Sequence, residues 1–142
     1  MKNKKVLIVE DDEVIRKVLK VTLGKWGFQV EEGEDGLQAL HKLENEPFRL
    51  IICDIMMPNM NGWELMKRVR QNPDTQDIPI IALTAKNKDA DMFKGFEMGA
   101  NYYITKPFTK AQLRYGIQLV LDQHTEEANE IDLSTQFENE NQ

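Results

Sequence analysis

At 142 residues, 41% hydrophobic and 30% charged, the chain has the size and composition of one soluble domain and is a poor fit for two. Its net charge of -6 comes from residues 124–142 alone, where Glu126, Glu127, Glu130, Asp132, Glu138 and Glu140 stand without any Lys or Arg; the formally neutral body has no clustered basic face for direct nucleic-acid binding. No apolar stretch approaches the roughly 20 residues that cross a bilayer, and the Lys-rich start runs into a short strand pattern without a signal-peptide core, so a cytoplasmic protein without membrane association is expected.

Apolar runs of strand length alternate with segments of helical period, the pattern of βαβ units and a parallel sheet. A first strand is predicted near residues 5–10, then a helix with Val14, Val18, Leu19 and Leu23 as its stripe. The second strand falls near 27–32 and its helix carries Leu37, Leu40 and Leu43; the third falls near 49–54 and its helix carries Leu65, Met66 and Val69. A fourth strand near 78–83 precedes a helix marked by Met92, Phe93 and Phe96, and a fifth near 101–105 precedes one marked by Leu113, Ile117, Val120 and Leu121. Gly and Pro punctuate these segments, at Gly24, Gly27, Pro47, Pro58, Gly62, Pro73, Pro79 and Gly99. Residues 4–123 form the domain, and 124–142, rich in Glu, Asn, Gln and Thr, are expected to be a solvated tail or linker. The one cysteine, Cys53, sits inside an apolar run and is expected to pack rather than react.

Chemistry gathers where the strands should stop. Asp11 and Asp12 follow Val6-Leu7-Ile8-Val9, Asp54 ends Leu50-Ile51-Ile52-Cys53, and Lys106 closes Tyr102-Tyr103-Ile104-Thr105. In an open parallel sheet the loops at the carboxyl ends of the strands form the ligand crevice, so these residues can converge. Carboxylates near 4 Å apart at an effective dielectric near 20 repel by roughly 4 kcal/mol per pair, which calls for a cation. All-oxygen ligands in an open crevice favour Mg²⁺, with Mn²⁺ as a substitute. An acidic pair after a strand also suits a helix start, and one acid can cap while facing the metal.

The ordered set Asp11-Asp12, Asp54 with Met56-Met57-Pro58 and Asn61-Gly62, Leu83-Thr84-Ala85, Gly99-Ala100 and Lys106-Pro107-Phe108 resembles the receiver domains of two-component response regulators, over about Lys4 to Gln123. The resemblance implies a flavodoxin-like (βα)5 fold, a doubly wound five-stranded parallel sheet in the order 2-1-3-4-5. It implies Asp54 as phosphoacceptor, and Mg²⁺ held by Asp11, Asp12, Asp54 and the Met56 backbone carbonyl; Glu10 and Glu13 receive no ligand role. Lys106, Thr84 and the Ala85 N–H would contact the phosphoryl group, a cis peptide would precede Pro107, and Thr84 and Tyr103 would form the switch. Tyr102, of opposite strand parity, would face the other way. His41 and His124 lie in no kinase motif, so the phosphodonor would be a histidine kinase or histidine phosphotransfer protein; a phosphorylation-dependent homodimer is a further partner in prospect. The chain would be a signalling switch rather than an enzyme in the ordinary sense, although it would catalyse its own phosphotransfer and dephosphorylation.

Two rivals stand apart. A Mg²⁺-dependent aspartyl phosphatase presents its nucleophile in an Asp-x-Asp-x-Thr arrangement after the first strand, where this chain has Glu10-Asp11-Asp12-Glu13. A flavin module would need a Gly- or Ser/Thr-rich phosphate loop there. Stand-alone action through protein contacts is favoured over a receiver excised from a larger regulator or hybrid kinase.

Overall fold

The computed structural model describes residues 3–57, 59–85 and 99–124. Five strands, β1 (Lys5–Val9), β2 (Gln29–Gly33), β3 (Leu50–Asp54), β4 (Ile80–Ala85) and β5 (Tyr102–Lys106), form one parallel sheet in the order β2-β1-β3-β4-β5. Helices α1 (Glu13–Lys25), α2 (Gly36–Asn45) and α3 (Gly62–Gln71) and a C-terminal helix (Lys110–His124) cover it. The predicted helix with Met92, Phe93 and Phe96 lies outside the described residues, as do Pro58 and the acidic tail.

The central strands read as continuous apolar runs because helices cover both of their faces. Val6, Ile8, Leu50, Ile52, Ile81, Leu83 and Ile104 pack with α1 and the C-terminal helix. Leu7, Val9, Ile51, Cys53, Ile80, Ala82 and Tyr103 pack on the other side with α2 and α3. The edge strand β2 is different: Glu31 and Glu32 are half-buried and paired with Lys42 and Lys20 at 3.0 and 3.1 Å, a charged edge of the kind that discourages strand addition.

Two predicted stripes are corrected in part. Leu19 and Leu23 of α1 are buried, but Val14 and Val18 are 71% and 50% exposed, and Ile15 packs inward instead. Positions 14 and 15 lie about 100° apart around a 3.6-residue turn, so two adjoining apolar stripes compete and the sheet takes the one headed by Ile15. On α2, Leu37 is exposed while Ala39 and Leu43 are buried.

At the end remote from the strand termini, Arg70 fastens three segments. Its guanidinium donates to the carbonyls of Gly99 (3.0 and 2.7 Å), Gln76 (2.8 Å) and Ile78 (2.6 Å) and to Asn101 Oδ1 (2.7 Å), which also accepts the Ile80 N–H at 2.8 Å. Gly99 has φ +115°, and a Cβ there would meet Arg70 Cγ at 2.7 Å, which accounts for the glycine of the Gly99-Ala100 motif. One lysine ammonium cannot serve these acceptors together. Arg70→Lys is therefore expected to lower stability by about 1–3 kcal/mol, read as a fall in the urea midpoint at constant slope; a midpoint matching wild type would show that the network is dispensable.

Candidate functional site

Register sets the site before any side chain is considered. Val9 pairs with Cys53, Cys53 with Ala82, and Ala82 with Tyr103, so the next row places Glu10, Asp54, Leu83 and Ile104 side by side at the carboxyl edge of the sheet. Strand side chains alternate between faces. Glu10, Asp54 and Lys106 therefore share the face of Ile8, Ile52 and Ile104, while Thr84 and Tyr103 share the face of Ala82 and Cys53.

The residues converge accordingly. Lys106 Nζ lies 2.6 Å from Glu10 Oε1 and 3.3 Å from Asp54 Oδ2. Oxygens of Glu10, Asp11 and Asp54 come within 4.8 Å of one another. Burial pushes the Glu10 carboxyl up to about 7, with the Asp54 charge adding to the rise and the Lys106 hydrogen bond opposing it. Lys106 itself is partly desolvated, which disfavours its charge, but the hydrogen bond to Glu10 and the charge on Asp54 outweigh this and hold its pKa above the ordinary lysine value. Burial raises the neighbouring Cys53 thiol, as its packing role requires.

Asp12 departs from its expected place. Its Oδ1 accepts the N–H groups of Val14 at 2.9 Å and Ile15 at 3.2 Å, making it the N-cap of α1. The third acid of the cluster is Glu10, fully buried, with Oε2 accepting the Asp12 N–H at 3.2 Å. The acidic pair beside Asp54 is thus Glu10 and Asp11. Arg16, also missed from sequence, donates to the Glu10 carbonyl at 2.7 Å and pairs with Glu32 at 3.4 Å, bracing the end of β1 against β2.

The remaining predicted positions fall around this centre. The Met56 N–H donates to Asp54 Oδ1 at 3.3 Å, and its side chain is 68% exposed. Gly62, at the start of α3, is required by close approach: a Cβ would meet the Asp54 carbonyl at 2.6 Å. Asn61 caps that helix through the Glu64 N–H at 3.0 Å. Thr84 is buried at the end of β4, and Ala85 pairs in register with Lys106. The Lys106–Pro107 peptide is cis. Tyr103 is already inward, at 7% exposure, and Tyr102 packs on the opposite face against Gly116.

Acids just past the end of β1 and at the end of β3 are answered by a lysine at the end of β5, and residues 6–118 match the response regulator receiver domain family. The chain belongs to the response regulator receiver domains, phosphorylation-dependent signalling modules of two-component systems. It is 37% identical over 127 residues to the transcriptional regulatory protein CpxR homolog of Haemophilus influenzae, covering 89% of this chain and 54% of that protein. It therefore spans about half the length of that relative. Identity to the chemotaxis protein CheY1 of Helicobacter pylori is 38% over 119 residues, covering 82% of this chain and 96% of that protein. The receiver domain of the sensor histidine kinase PA1611 of Pseudomonas aeruginosa, solved with a magnesium ion in its active site cleft, superposes with a TM-score of 0.78 at 30% identity, covering 85% of this chain and 99% of that one.

In this receiver Asp12 and Asp11 should separate experimentally. Asp12→Ala removes a cap and is expected to cost about 1 kcal/mol. Asp11→Ala relieves like-charge repulsion at the cluster and is expected to leave stability of the metal-free protein unchanged or raised. Urea unfolding in chelator checks both; a stabilised Asp12→Ala would argue against the capping role.

Proposed function

We propose that this receiver accepts a phosphoryl group on Asp54 from the phosphohistidine of a partner histidine kinase or histidine phosphotransfer protein, or from a small phosphodonor, and hydrolyses it to reset. The observation that carries this reading is the placement of Asp54: a strand-end carboxylate with one oxygen 3.3 Å from Lys106 Nζ and with Glu10 and Asp11 beside it. An Asp54 oxygen attacks phosphorus, the P–N bond of the donor breaks with its electron pair going to the imidazole nitrogen, and an acyl phosphate forms. Lys106 has its ammonium within reach of the transferred oxygens as a mobile point charge. The Thr84 hydroxyl and the Ala85 N–H supply neutral donors from the adjacent strand end.

Three carboxyl groups against one lysine form an all-oxygen set that fits a hard divalent cation. Asp11 and Asp54, with Glu10 and the Met56 carbonyl completing the protein's share, would hold Mg²⁺, or Mn²⁺ in its place, and the ion would neutralise charge on the phosphoryl oxygens. Because burial pushes the Glu10 carboxyl up to about 7, a cation held there would compete with its proton.

The switch is proposed to run through Thr84 and Tyr103, neighbours on the sheet face opposite Glu10 and Asp54. With the Tyr103 ring buried before modification, phosphorylation would fix an inward ring rather than create one. A change of population between two arrangements then alters the surface presented to a protein target.

Treatment with a small phosphodonor and Mg²⁺ should add one phosphoryl group to wild type and none to Asp54→Asn, by intact mass. Modification of the variant at another residue would overturn the assignment. Met56 lies two residues after Asp54 with an exposed apolar side chain that cannot orient a water at the acyl phosphate. Met56→Asn is expected to speed dephosphorylation by about tenfold, roughly 1.4 kcal/mol of barrier; an unchanged rate under equal Mg²⁺ would show that Met56 does not protect the phosphoryl group.

A further inference from the structure

Helix α1 presents a row of apolar side chains that the sheet does not use. Val14, Val18 and Val21 are 71%, 50% and 50% exposed, half of the large exposed hydrophobic residues among the described ones. They line a groove of about 580 Å³ whose rim carries Lys17, Lys25 and Lys110 against a single acid, Glu13. Through Val14 and Val18 the groove continues into a second apolar hollow bounded by Lys106, Pro107 and Phe108. An apolar floor with a basic rim selects an occupant that is acidic and carries a few spaced apolar groups.

Such a segment lies in this chain. Residues 125–142 hold six acids, no Lys or Arg, and the apolar residues Ile131, Leu133 and Phe137. These three share one parity, so in an extended segment they face one side. Topology also places the segment's origin. Strands of a parallel sheet are joined by helices that run back to its amino-terminal edge, so Lys25 at the end of α1 and His124 at the end of the C-terminal helix lie at that same edge. The two helices are neighbours there, sharing one core through Leu19, Leu23, Leu113, Ile117 and Leu121. The seven residues from 125 to 131 reach roughly 23 Å when extended, whereas α1 is only roughly 20 Å long. Ile131 and the residues after it can therefore reach any point along the valine row. Tethering converts weak contacts into appreciable occupancy through a high effective concentration.

We propose that residues 125–142 dock along α1, with Ile131, Leu133 and Phe137 along the two joined apolar hollows lined by Val14, Val18, Val21 and Phe108 and the flanking acids over Lys17 and Lys25.

The test uses the full chain with Gln136→Cys carrying a nitroxide spin label; Cys53 is buried and stays unlabelled. At low salt, amides of residues 14–25 are expected to broaden while those of α2 and α3 do not. Lys17→Glu with Lys25→Glu should restore the α1 intensities by about twofold or more, as should salt near 1 M, where the screening length is about 3 Å. Ile131→Ser with Leu133→Ser and Phe137→Ser should do the same. Broadening that is absent, uniform over the surface, or indifferent to both sets of substitutions overturns the proposal and leaves the groove to a separate protein partner. The readout requires no phosphoryl transfer, so its failure is distinguishable from failure of the Asp54 assignment.

Discussion

The ion pair of Lys106 with Glu10 and Asp54 is the constraint on which the site depends. One of these carboxyl groups is fully buried and the other nearly so, and taking a carboxylate from water costs several kcal/mol unless a partner answers it. Lys106 answers both from the end of β5, at 2.6 and 3.3 Å. One positive charge cannot cancel two negative ones, and Asp11 adds a third acid within 4.8 Å. Burial and the Asp54 charge accordingly push the Glu10 carboxyl up to about 7. The metal-free centre is thus under electrostatic tension that a divalent cation would relieve. A phosphoryl group on Asp54 would draw the same lysine away from Glu10.

That tension is borne by a sheet whose register brings the charges together without any long-range loop. Each charged group sits within two residues of the end of its strand, and the rows Val9–Cys53–Ala82–Tyr103 and Ile8–Ile52–Ile81–Tyr102 below it are apolar apart from the tyrosines. The braces are local: Arg16 on the Glu10 carbonyl, Asn61 at the start of α3, and Gly62 allowing that helix to approach the Asp54 backbone. At the opposite edge Arg70 holds the segments that enter β4 and β5. The edge that carries the charges is therefore anchored from below as well as at its rim.

Much of this was legible in the residues. The alternation of apolar runs and helical stripes gives the five strands within two residues at each end and the covering helices among the described residues, because buried parallel strands and one-sided helices leave unmistakable periods. Strand-end position singles out Asp54, Lys106 and Asp11, which meet at one edge of the sheet, and parity separates Tyr102 from Tyr103, which lie on opposite faces. The misreadings have one form: two chemically equivalent candidates adjoined, and composition could not choose between them. Val14 and Ile15 begin neighbouring stripes of α1, and the sheet takes Ile15. Glu10, Asp11 and Asp12 are consecutive acids, and the structure gives the third to the helix cap and the first to the cluster.

The choice of Glu10 over Asp12 follows from strand geometry. Residues 6, 8 and 10 of the first strand and its extension, 50, 52 and 54 of the third, and 102, 104 and 106 of the fifth project from one face of the sheet. The Glu10 N–H still bonds the Gly33 carbonyl at 3.0 Å, so the backbone remains in the ladder one residue beyond Val9 and the alternation carries through Glu10. Asp12 also has even parity, but the chain has turned by then, and its side chain is spent on the first free N–H groups of α1. Parity counted from the apolar run therefore identifies the buried acid, provided the strand is known to persist to residue 10. That persistence depends on β2 offering the Gly33 carbonyl and on Arg16 holding the Glu10 carbonyl. The first comes from a neighbouring strand and the second from α1, so no inspection of β1 alone decides which of three adjacent acids faces the lysine.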